Sequence, residues 1–391
     1  MPAFFFLPHI CYTRVIMEKI TLIAICKFGL EKLVKIEVNH LGFPEVLVSD
    51  GRIEFTAALS DIPRLNLWLR YADRLLLKVG EFPALTFDDL YEQVRALPWE
   101  AWMSVDGRFP VDAKSVKSAL QSVRSCQSIV KKAVVDRLQA AYHTADLPET
   151  GPEYAIQVAL LNDTATLTLD TSGAGLHKRG YRTETVEAPL KETFAAGLVW
   201  LSPWRPDGLL IDPMCGSGTI LIEAALKARQ MAPGLNRDFA AEGWPIIAAA
   251  AWREAREAAL AARRSDLTLQ LFGYDIDATA VAAARINAAN AGVADDIVFA
   301  QKDVRDLWID RETGTLICNP PYGRRLSDFQ QMNQMYIALN KMLRKKTGWA
   351  VCILTADPKF PDYFKRARPD RVRKFFNGRI RVNYYQYDAL K

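Results

Sequence analysis

The sequence of 391 residues predicts an α/β fold, with a parallel sheet in the C-terminal half and two small α+β units ahead of it. Two patterns predict this fold. From about residue 205, short and uniformly apolar strands alternate with helical segments, which is typical of a parallel sheet covered on both faces. Before residue 171, strands with alternating apolar and polar residues are interleaved with amphipathic helices. The length suits two or three domains.

Composition excludes several classes of protein. Hydrophobic residues make up 50% of the chain and charged residues 24%, so disordered and fibrous proteins are excluded. No apolar run approaches the roughly 18 residues of a membrane-spanning helix. The six cysteines are widely spaced and only four histidines are present, so we expect no metal site. Reduced thiols of this kind indicate a cytoplasmic protein.

Residues 1–16 differ from the rest of the chain. They are apolar and aromatic, but Pro8 and His9 interrupt the run and no basic segment precedes it, so a secretory signal is not indicated. We interpret them as a peripheral extension ahead of Met17, which opens a more ordinary beginning.

Residues 17–72 predict a ferredoxin-like unit. The expected order is βαββαβ, with elements at 20–26, 29–41, 46–48, 52–55, 61–70 and, for the closing strand, 75–79.

Residues 73–170 predict a second small unit. Its expected elements are a helix at 87–96, a strand at 108–113, a helix at 117–141 and a hairpin of strands 154–161 and 164–170.

A linker and a helix at 171–204 precede the domain of residues 205–391. The expected strands of that domain are 209–212, 271–275, 297–300, 316–318 and 350–355, and the expected helices are 217–230, 246–264, 278–291 and 329–345. Residues 375–387 predict a closing hairpin that turns at Asn377-Gly378.

The segment Asp212–Thr219 carries the strongest functional signal. It joins a strand to a helix, at the edge of the sheet where open α/β folds bind ligands. Gly216 and Gly218 permit close approach of a ligand to the main chain, and Ser217 and Thr219 can cap the following helix. The Gly-Lys-Ser/Thr ending of a phosphate-binding P-loop is absent. The carboxylate of Asp212 suits a cationic cofactor.

Two further carboxylates follow the next two strands. Asp275 ends the second strand, where it can accept hydrogen bonds from both hydroxyls of a ribose, whereas Asp277 is more simply the N-cap of the next helix. Asp303 follows the third strand, where it can accept from the exocyclic amine of an adenine.

The segment Cys318–Gly323 follows the fourth strand and indicates the reaction. The side-chain oxygen of Asn319 and the carbonyl of Pro320 can accept from both N–H groups of a nucleobase amine. This draws the nitrogen toward tetrahedral geometry and directs its lone pair at an incoming methyl group. Pro320 and Pro321 stiffen the turn, and Tyr322 offers a ring on which an extruded base can stack.

The order of these motifs resembles the Rossmann-like amino methyltransferases that use S-adenosylmethionine. The segment 171–182 resembles the junction between a THUMP domain and a methyltransferase domain in bacterial enzymes related to the N-terminal half of ribosomal large-subunit methyltransferase L. The resemblance implies a class I methyltransferase domain behind ferredoxin-like and THUMP units, and guanine-N2 methylation of 23S rRNA. Because the second methyltransferase domain of the fused enzymes is absent, we expect one modification.

The resemblance also implies the site residues. Catalysis falls to Asn319, Pro320, Pro321 and Tyr322, and the S-adenosylmethionine site comprises Asp212, Cys215, Gly216, Ser217, Gly218, Thr219, Asp275, Ile276, Asp303, Val304 and Asn319. The expected RNA contacts are basic residues before and on the long helix of the second unit and in the connecting segment, which is the name used for the linker within residues 171–204, namely Lys114, Lys117, Arg124, Lys131, Lys132, His177, Lys178, Arg179 and Arg182.

Charge supports an RNA partner only locally. Residues 1–165 carry a net charge of −2 and residues 166–391 a net charge of +7. The stretch 359–381 holds nine Lys or Arg and two Asp, although core packing is the favoured interpretation of its aromatic residues Phe360, Tyr363, Phe364, Phe375 and Phe376. A tRNA guanine, an adenine-N6 substrate in DNA or RNA, and a non-catalytic RNA-binding role are the alternatives.

Overall fold

A computed structural model describes residues 19–184, 190–321, 326–366 and 368–389. The N-terminal half forms one seven-stranded sheet with helices packed on it. Its elements are β1 (Ile20–Cys26), α1 (Glu31–His40), β2 (Val46–Ser49), β3 (Arg52–Ala57), α2 (Ile62–Trp68), β4 (Ala72–Pro83), α3 (Phe87–Ala96), β5 (Val111–Val116), α4 (Val123–Tyr142), β6 (Ile156–Leu161) and β7 (Thr164–Asp170).

The strand order of this sheet is β2-β3-β1-β4-β7-β6-β5. The predicted βαββαβ order of the ferredoxin-like unit is confirmed by β1 to β4. The 12-residue strand β4 pairs with β1 on one side and with β7 on the other. The two N-terminal units therefore share a strand and form one continuous sheet.

The C-terminal half contains a second seven-stranded sheet. Its elements are α5 (Glu192–Leu201), β8 (Leu209–Asp212), α6 (Thr219–Ala228), α7 (Ala249–Ala261), β9 (Gln270–Asp275), α8 (Ala278–Asn290), β10 (Ile297–Gln301), β11 (Thr313–Cys318), α9 (Leu326–Leu343), β12 (Gly348–Thr355), α10 (Phe360–Phe364), β13 (Arg371–Asn377) and β14 (Ile380–Tyr387).

The order of the second sheet is β10-β9-β8-β11-β12-β14-β13. Strands β8 to β12 are parallel, and β14 is antiparallel to β12 and to β13. The predicted parallel sheet and closing hairpin are both confirmed. The chain runs outward from β8 to β10 on one side and from β11 onward on the other. The order therefore reverses between β8 and β11, where open α/β sheets bind ligands.

The structure differs from the sequence prediction at the start of the second unit. The helix expected from residue 117 begins at Val123, because Lys117 adopts a φ of +50° and the Ser122 side chain caps the helix by accepting from the Ser125 N–H at 3.4 Å. The strand expected at 108–113 lies at 111–116, and Arg108 instead forms an isolated bridge with Glu153.

One apolar core runs through both halves of the molecule. Buried residues of the first sheet continue into α5 and α6 and reach Phe375 on β13. The Phe375 ring lies 5.3 Å from that of Phe194 on α5, and a Cβ added at Gly29 would lie 2.9 Å from Phe375. A second core covers the other face of the second sheet, between α9, α10 and the hairpin. The predicted core positions of Phe360, Phe364 and Phe375 are confirmed, and Phe376 is 48% exposed.

A buried charge cluster joins the two halves. We use this name for Glu37, Arg70, Arg179, Tyr181 and Glu223. Glu223 on α6 accepts from the Tyr181 hydroxyl at 3.0 Å and pairs with Arg179 at 2.9 Å and with Arg70 at 3.7 Å. Glu37 accepts from the Arg70 N–H at 2.9 Å, and burial raises the pKa of Glu37 to about 7. The cluster therefore links α1, the end of α2, the connecting segment and α6.

None of the helices in the described ranges combines the length and apolarity that a bilayer crossing requires.

Candidate cofactor and substrate site

Three of the predicted polar side chains lie together at the carboxyl edge of the second sheet. Asp212 ends β8, Asp275 ends the neighbouring β9, and Asn319 follows β11 on the other side of β8. Cys318, at the last position of β11, lies next to Asp212, because β11 pairs with β8 up to Leu316 and Ile211. The site therefore forms where the strand order reverses.

The loop after β8 is attached to the end of β9 by two hydrogen bonds that its main-chain N–H groups donate. The Cys215 N–H donates to the Tyr274 carbonyl at 2.8 Å, and the Gly216 N–H donates to Asp275 Oδ2 at 2.8 Å. Gly216 and Gly218 adopt φ values of +53° and +80°, a region that favours glycine. These contacts hold the loop beneath the carboxyl edge, with Cys215 and Ser217 buried.

The predicted capping of α6 by Ser217 and Thr219 is wrong. The N-cap is Gly218, which has no side chain. A Cβ at Gly218 would lie 2.8 Å from Phe299 Cζ, so the loop packs too closely for any larger residue there. The Thr219 hydroxyl instead accepts from Arg182 at 2.7 Å.

Asp212 is a buried carboxyl in a weakly polar environment. It is 1% exposed, and Oδ1 accepts from the Met214 N–H at 3.2 Å. Burial, together with the nearby charge of Asp275, raises the pKa of Asp212 to about 8, although the Met214 N–H and the Cys318 thiol act in the opposite direction. A cation placed beside this carboxyl would favour its ionised form. Asp212 therefore fits a cationic ligand.

Asp275 holds the main chain with both oxygens. Oδ2 accepts from Gly216, and Oδ1 accepts from the Asp277 N–H at 3.0 Å. The carboxylate is half-buried, and each oxygen can accept a further hydrogen bond. Ile276 is 60% exposed beside it. Asp277 caps α8 through the Thr279 N–H at 2.8 Å, so its predicted N-cap role is confirmed.

Asp303 has a local partner that the sequence pattern did not indicate. Its carboxylate accepts from the Arg305 N–H and from Nε of the Arg305 guanidinium, both at 2.8 Å. The Arg305 guanidinium lowers the pKa of Asp303. Val304 is buried next to it. An adenine amine at Asp303 would thus share the carboxylate with Arg305.

The segment after β11 begins in the core and ends at the surface. Cys318 and Pro320 are buried, Asn319 is half-buried and Pro321 is exposed. Tyr322 lies outside the described residues. The described part of the turn therefore brings a side-chain amide to the surface of the carboxyl edge.

The predicted RNA contacts differ in how exposed their side chains are. Lys114, Lys117, Arg124, Lys132 and Lys178 are exposed. The Lys131 ammonium group already has partners within the chain, because it pairs with Glu149 at 2.6 Å and lies 3.6 Å from the Phe109 ring centroid. The exposed group lies on β5, the following turn, α4 and the connecting segment.

For two arginines of the connecting segment the predicted RNA contact is wrong, whereas the predicted contact of His177 stays a prediction. Arg179 is 2% exposed and pairs with Glu223 in the buried charge cluster. Arg182 donates to the Leu190 carbonyl and to Thr219. Burial lowers the pKa of His177 to about 4, so it is neutral near pH 7. The charges of the two arginines are therefore used in contacts within the folded chain, and His177 carries no charge near pH 7.

Asn287 is a site residue that no sequence motif indicated. It is fully buried on α8, where its Nδ2 donates to the Ser217 carbonyl at 3.3 Å and to the Glu184 carbonyl at 3.1 Å. It thereby attaches the connecting segment to the loop after β8. Its burial could have been inferred from its position, because it lies seven residues after Ala280 on the apolar face of a helix.

Comparison with known proteins assigns three parts of the chain. Residues 179–386 match the RMKL-like methyltransferase domain, residues 21–76 match the RlmL ferredoxin-like domain, and residues 84–170 match the THUMP domain. Among curated proteins, the "Putative RNA methyltransferase YpsC" of Bacillus subtilis is 44% identical, covering 95% of this chain and 96% of that protein.

A second relative is the ribosomal RNA large subunit methyltransferase K/L of Syntrophotalea carbinolica, which is 36% identical over 93% of this chain. The chain spans 53% of that protein. A solved structure named as a predicted N6-adenine-specific DNA methylase from Listeria monocytogenes is 44% identical, with a TM-score of 0.91 and coverage of 95% of this chain and 96% of that one.

A further solved structure is "SMU.472, a putative methyltransferase complexed with SAH", which is 41% identical at a TM-score of 0.91, covering 96% of this chain and 99% of that one. SAH is the demethylated form of the cofactor that the sequence predicts. TrmN from Thermus thermophilus, at 19% identity and a TM-score of 0.68, shares the fold. The chain belongs to the family of RMKL-like methyltransferases that carry RlmL ferredoxin-like and THUMP domains ahead of the methyltransferase domain.

Proposed function

We propose that this protein transfers a methyl group from S-adenosylmethionine to the exocyclic N2 amine of a guanine in 23S rRNA. One observation carries the proposal: the Asn319-Pro320-Pro321 segment lies beside the buried carboxyl of Asp212, where the strand order reverses. An amide acceptor for an amine and a carboxyl for a cation are thereby side by side.

The residues around the loop after β8 fit the cofactor. Asp212 would hold a positively charged part of it, because the ionised form of this buried carboxyl has no cation beside it in the described residues. Asp275 would accept from the ribose hydroxyls through lone pairs that Gly216 and Asp277 do not use. Asp303, shared with Arg305, would accept from the adenine amine.

S-adenosylmethionine supplies the methyl group as an electrophile. The contribution of this chain is to prepare the nucleophile, whose lone pair is otherwise delocalised into the purine ring. The Asn319 side-chain oxygen and the Pro320 carbonyl would each accept one N–H of the amine, which favours tetrahedral geometry at nitrogen. After transfer, the surplus amine proton passes to water. Because an amide cannot take up this proton, Asn319 is a hydrogen-bond acceptor and not a general base.

The substrate class is inferred from the N-terminal half. The THUMP match, the exposed basic residues of β5 and α4, and the names of the relatives from Bacillus subtilis and Syntrophotalea carbinolica all favour RNA. The K/L relative is named for large-subunit rRNA, which favours 23S rRNA over tRNA. An adenine-N6 amine is the second candidate, because the Listeria monocytogenes protein is named for that reaction and an Asn-Pro-Pro-Tyr segment can bind either amine.

The experiment is a methylation assay with cofactor labelled in its methyl group. Total rRNA, tRNA and DNA from a host that lacks the enzyme are incubated separately with the protein, and the labelled nucleosides are identified. We expect N2-methylguanosine in the large-subunit rRNA alone. Label in N6-methyladenosine would replace the guanine proposal with the second candidate, and label confined to tRNA would exclude 23S rRNA. A reaction without the protein serves as the control.

A further inference from the structure

We propose that the tip of the β13–β14 hairpin is an RNA contact surface that holds the strand next to the target nucleotide. This inference rests on the proposed function. We define the hairpin tip by four exposed side chains, Lys374, Phe376, Arg379 and Arg381. It is separate from the basic residues of β5 and α4.

The topology places the hairpin tip at the same edge as the methyl-transfer site. Strand β14 runs antiparallel to β12, and Asn383 pairs with Thr355 at the carboxyl end of β12. Residues 380–382 therefore extend beyond that end, by roughly 10 Å at 3.4 Å per residue. Laterally, β14 and β13 lie two and three strands from β11, or roughly 10–15 Å from Asn319.

The hairpin tip presents one chemically consistent face. Phe376 pairs directly with Arg381, and Lys374 pairs with Asn383 two residues along, so these side chains lie on the same side of the hairpin. A half-exposed aromatic ring with two cations on the same face suits a nucleotide chain, because the ring can stack on a base while the cations contact phosphates.

The cations of the tip are available to a partner. Within the described ranges, no hydrogen bond or ion pair joins the side chain of Lys374, Arg379 or Arg381 to a carboxylate, whereas Arg74, Arg137 and Arg229 all have such partners. The surrounding stretch 359–381 has nine basic residues against two acidic ones. A polyanion is therefore the partner that complements the charge of this surface.

The hairpin tip is also held in place by the N-terminal half. The Lys27 ammonium group donates to the Phe376 carbonyl at 2.6 Å and lies 4.4 Å from the Phe194 ring centroid. On the opposite face of the hairpin, Phe375 packs against Gly29 and Phe194. Because the main chain is fixed from this side, the tip can bind RNA without ordering itself first.

The test compares two double charge reversals at opposite ends of the same sheet. The test variant is Arg379→Glu/Arg381→Glu. The control is Arg344→Glu/Lys345→Glu, which changes two exposed cations by the same charge in the turn between α9 and the start of β12, at the amino edge. Affinity for SAH, measured by calorimetry, reports whether each variant keeps its folded cofactor site.

We expect the KM of the test variant for deproteinised 23S rRNA to rise roughly tenfold, with kcat within about twofold of the wild type. Its affinity for a fluorescein-labelled single-stranded RNA of 20 nucleotides should also fall. The slope of the logarithm of the binding constant against the logarithm of the salt concentration should be smaller in magnitude by about 1.4, the value for two lost phosphate contacts. The control should keep wild-type values. Equal behaviour of the two variants, with unchanged SAH affinity, would overturn the proposal.

The two assays separate this inference from the proposed function. If the wild type binds the labelled RNA but methylates no rRNA, the proposed function fails and the binding comparison alone decides the role of the hairpin tip. If the test variant then binds the RNA as tightly as the control, the inference fails as well.

Discussion

Asn319 is the residue on which the proposed chemistry depends. Replacing it with alanine removes one acceptor for the amine, an interaction that strengthens as nitrogen becomes tetrahedral. We expect turnover to fall by about 10²–10³ with little change in cofactor affinity. Asn319→Asp should keep partial activity because a carboxylate also accepts hydrogen bonds. Single-turnover methylation at saturating cofactor measures both variants, and near-normal turnover of Asn319→Ala would refute the role.

Asp212 predicts a pH dependence of cofactor binding. Because its pKa is raised to about 8, the carboxyl is neutral below that pH and ionised above it. A cation binds the ionised form better, so affinity for S-adenosylmethionine should rise with pH up to about 8 and then level off, with release of a proton on binding. Calorimetry in two buffers of different ionisation enthalpy measures the proton. Asp212→Asn should lose this component, and equal proton release by both proteins would contradict the assignment.

Asp275 and Asp277 separate cofactor binding from helix capping. Asp275→Ala should weaken S-adenosylmethionine binding by roughly 1.5–3 kcal/mol through the loss of charge-assisted hydrogen bonds. Asp277→Ala removes only the cap of α8, so it should cost about 1 kcal/mol of stability at unchanged affinity. Calorimetry and urea unfolding of both variants make the comparison. Unchanged affinity of Asp275→Ala would remove this residue from the ribose site.

At the scale of elements, the loop from β8 to α6 depends on Gly218. Alanine there would keep a φ of +80° and place its Cβ 2.8 Å from Phe299 and 3.1 Å from Ala284. We expect a loss of roughly 2–5 kcal/mol in the free energy of unfolding from the two effects together. Gly42→Ala, at φ +98° with no atom within 4 Å of its Cβ, isolates the backbone effect, roughly 1–2 kcal/mol. Urea unfolding measures both variants, and an equal loss in the free energy of unfolding would show that packing at Gly218 is not tight.

Sequence patterns predicted most elements because each depends on local periodicity. The strands of the second sheet are short apolar runs, and Asp212, Asp275 and Asn319 could be placed together because the carboxyl ends of parallel strands share one edge. The start of α4 could not be predicted, because the helical pattern continues through Lys117 while the backbone there is left-handed.

The errors in the RNA surface have a different origin. Arg179 and Arg182 belong to a basic run, and a basic run predicts a solvated surface. Their partners, Glu223 and Thr219, are 44 and 37 residues further along the chain and meet them only in the folded protein. Charge patterning carries no information about such distant partners, so the burial of Arg179 and the pairing of Arg182 could not be predicted.

At the scale of the whole molecule, Glu223 balances two buried guanidinium groups from different parts of the chain. Glu223→Gln leaves Arg70 and Arg179 without this counter-charge, and we expect a loss of about 3–5 kcal/mol in the free energy of unfolding. Glu312→Gln is the matched control, since Glu312 is 84% exposed in its pair with Lys346 and should cost at most about 1 kcal/mol. Urea unfolding followed by tryptophan fluorescence compares the two. Equal losses would show that Glu223 does not stabilise the junction.

The buried charge cluster also limits how the family can be recombined. A chimaera cut at residue 171, with the N-terminal half of a relative grafted onto this methyltransferase domain, would separate Glu37 and Arg70 from Arg179 and Glu223. A donor with an apolar residue in place of Arg70 would leave Glu223 under-compensated in the graft, and a donor lacking the acidic residue would leave an excess of arginine. We therefore expect a chimaera to fold stably only when the donor supplies both the acidic residue at position 37 and the arginine at position 70 that balance Arg179 and Glu223 of the host.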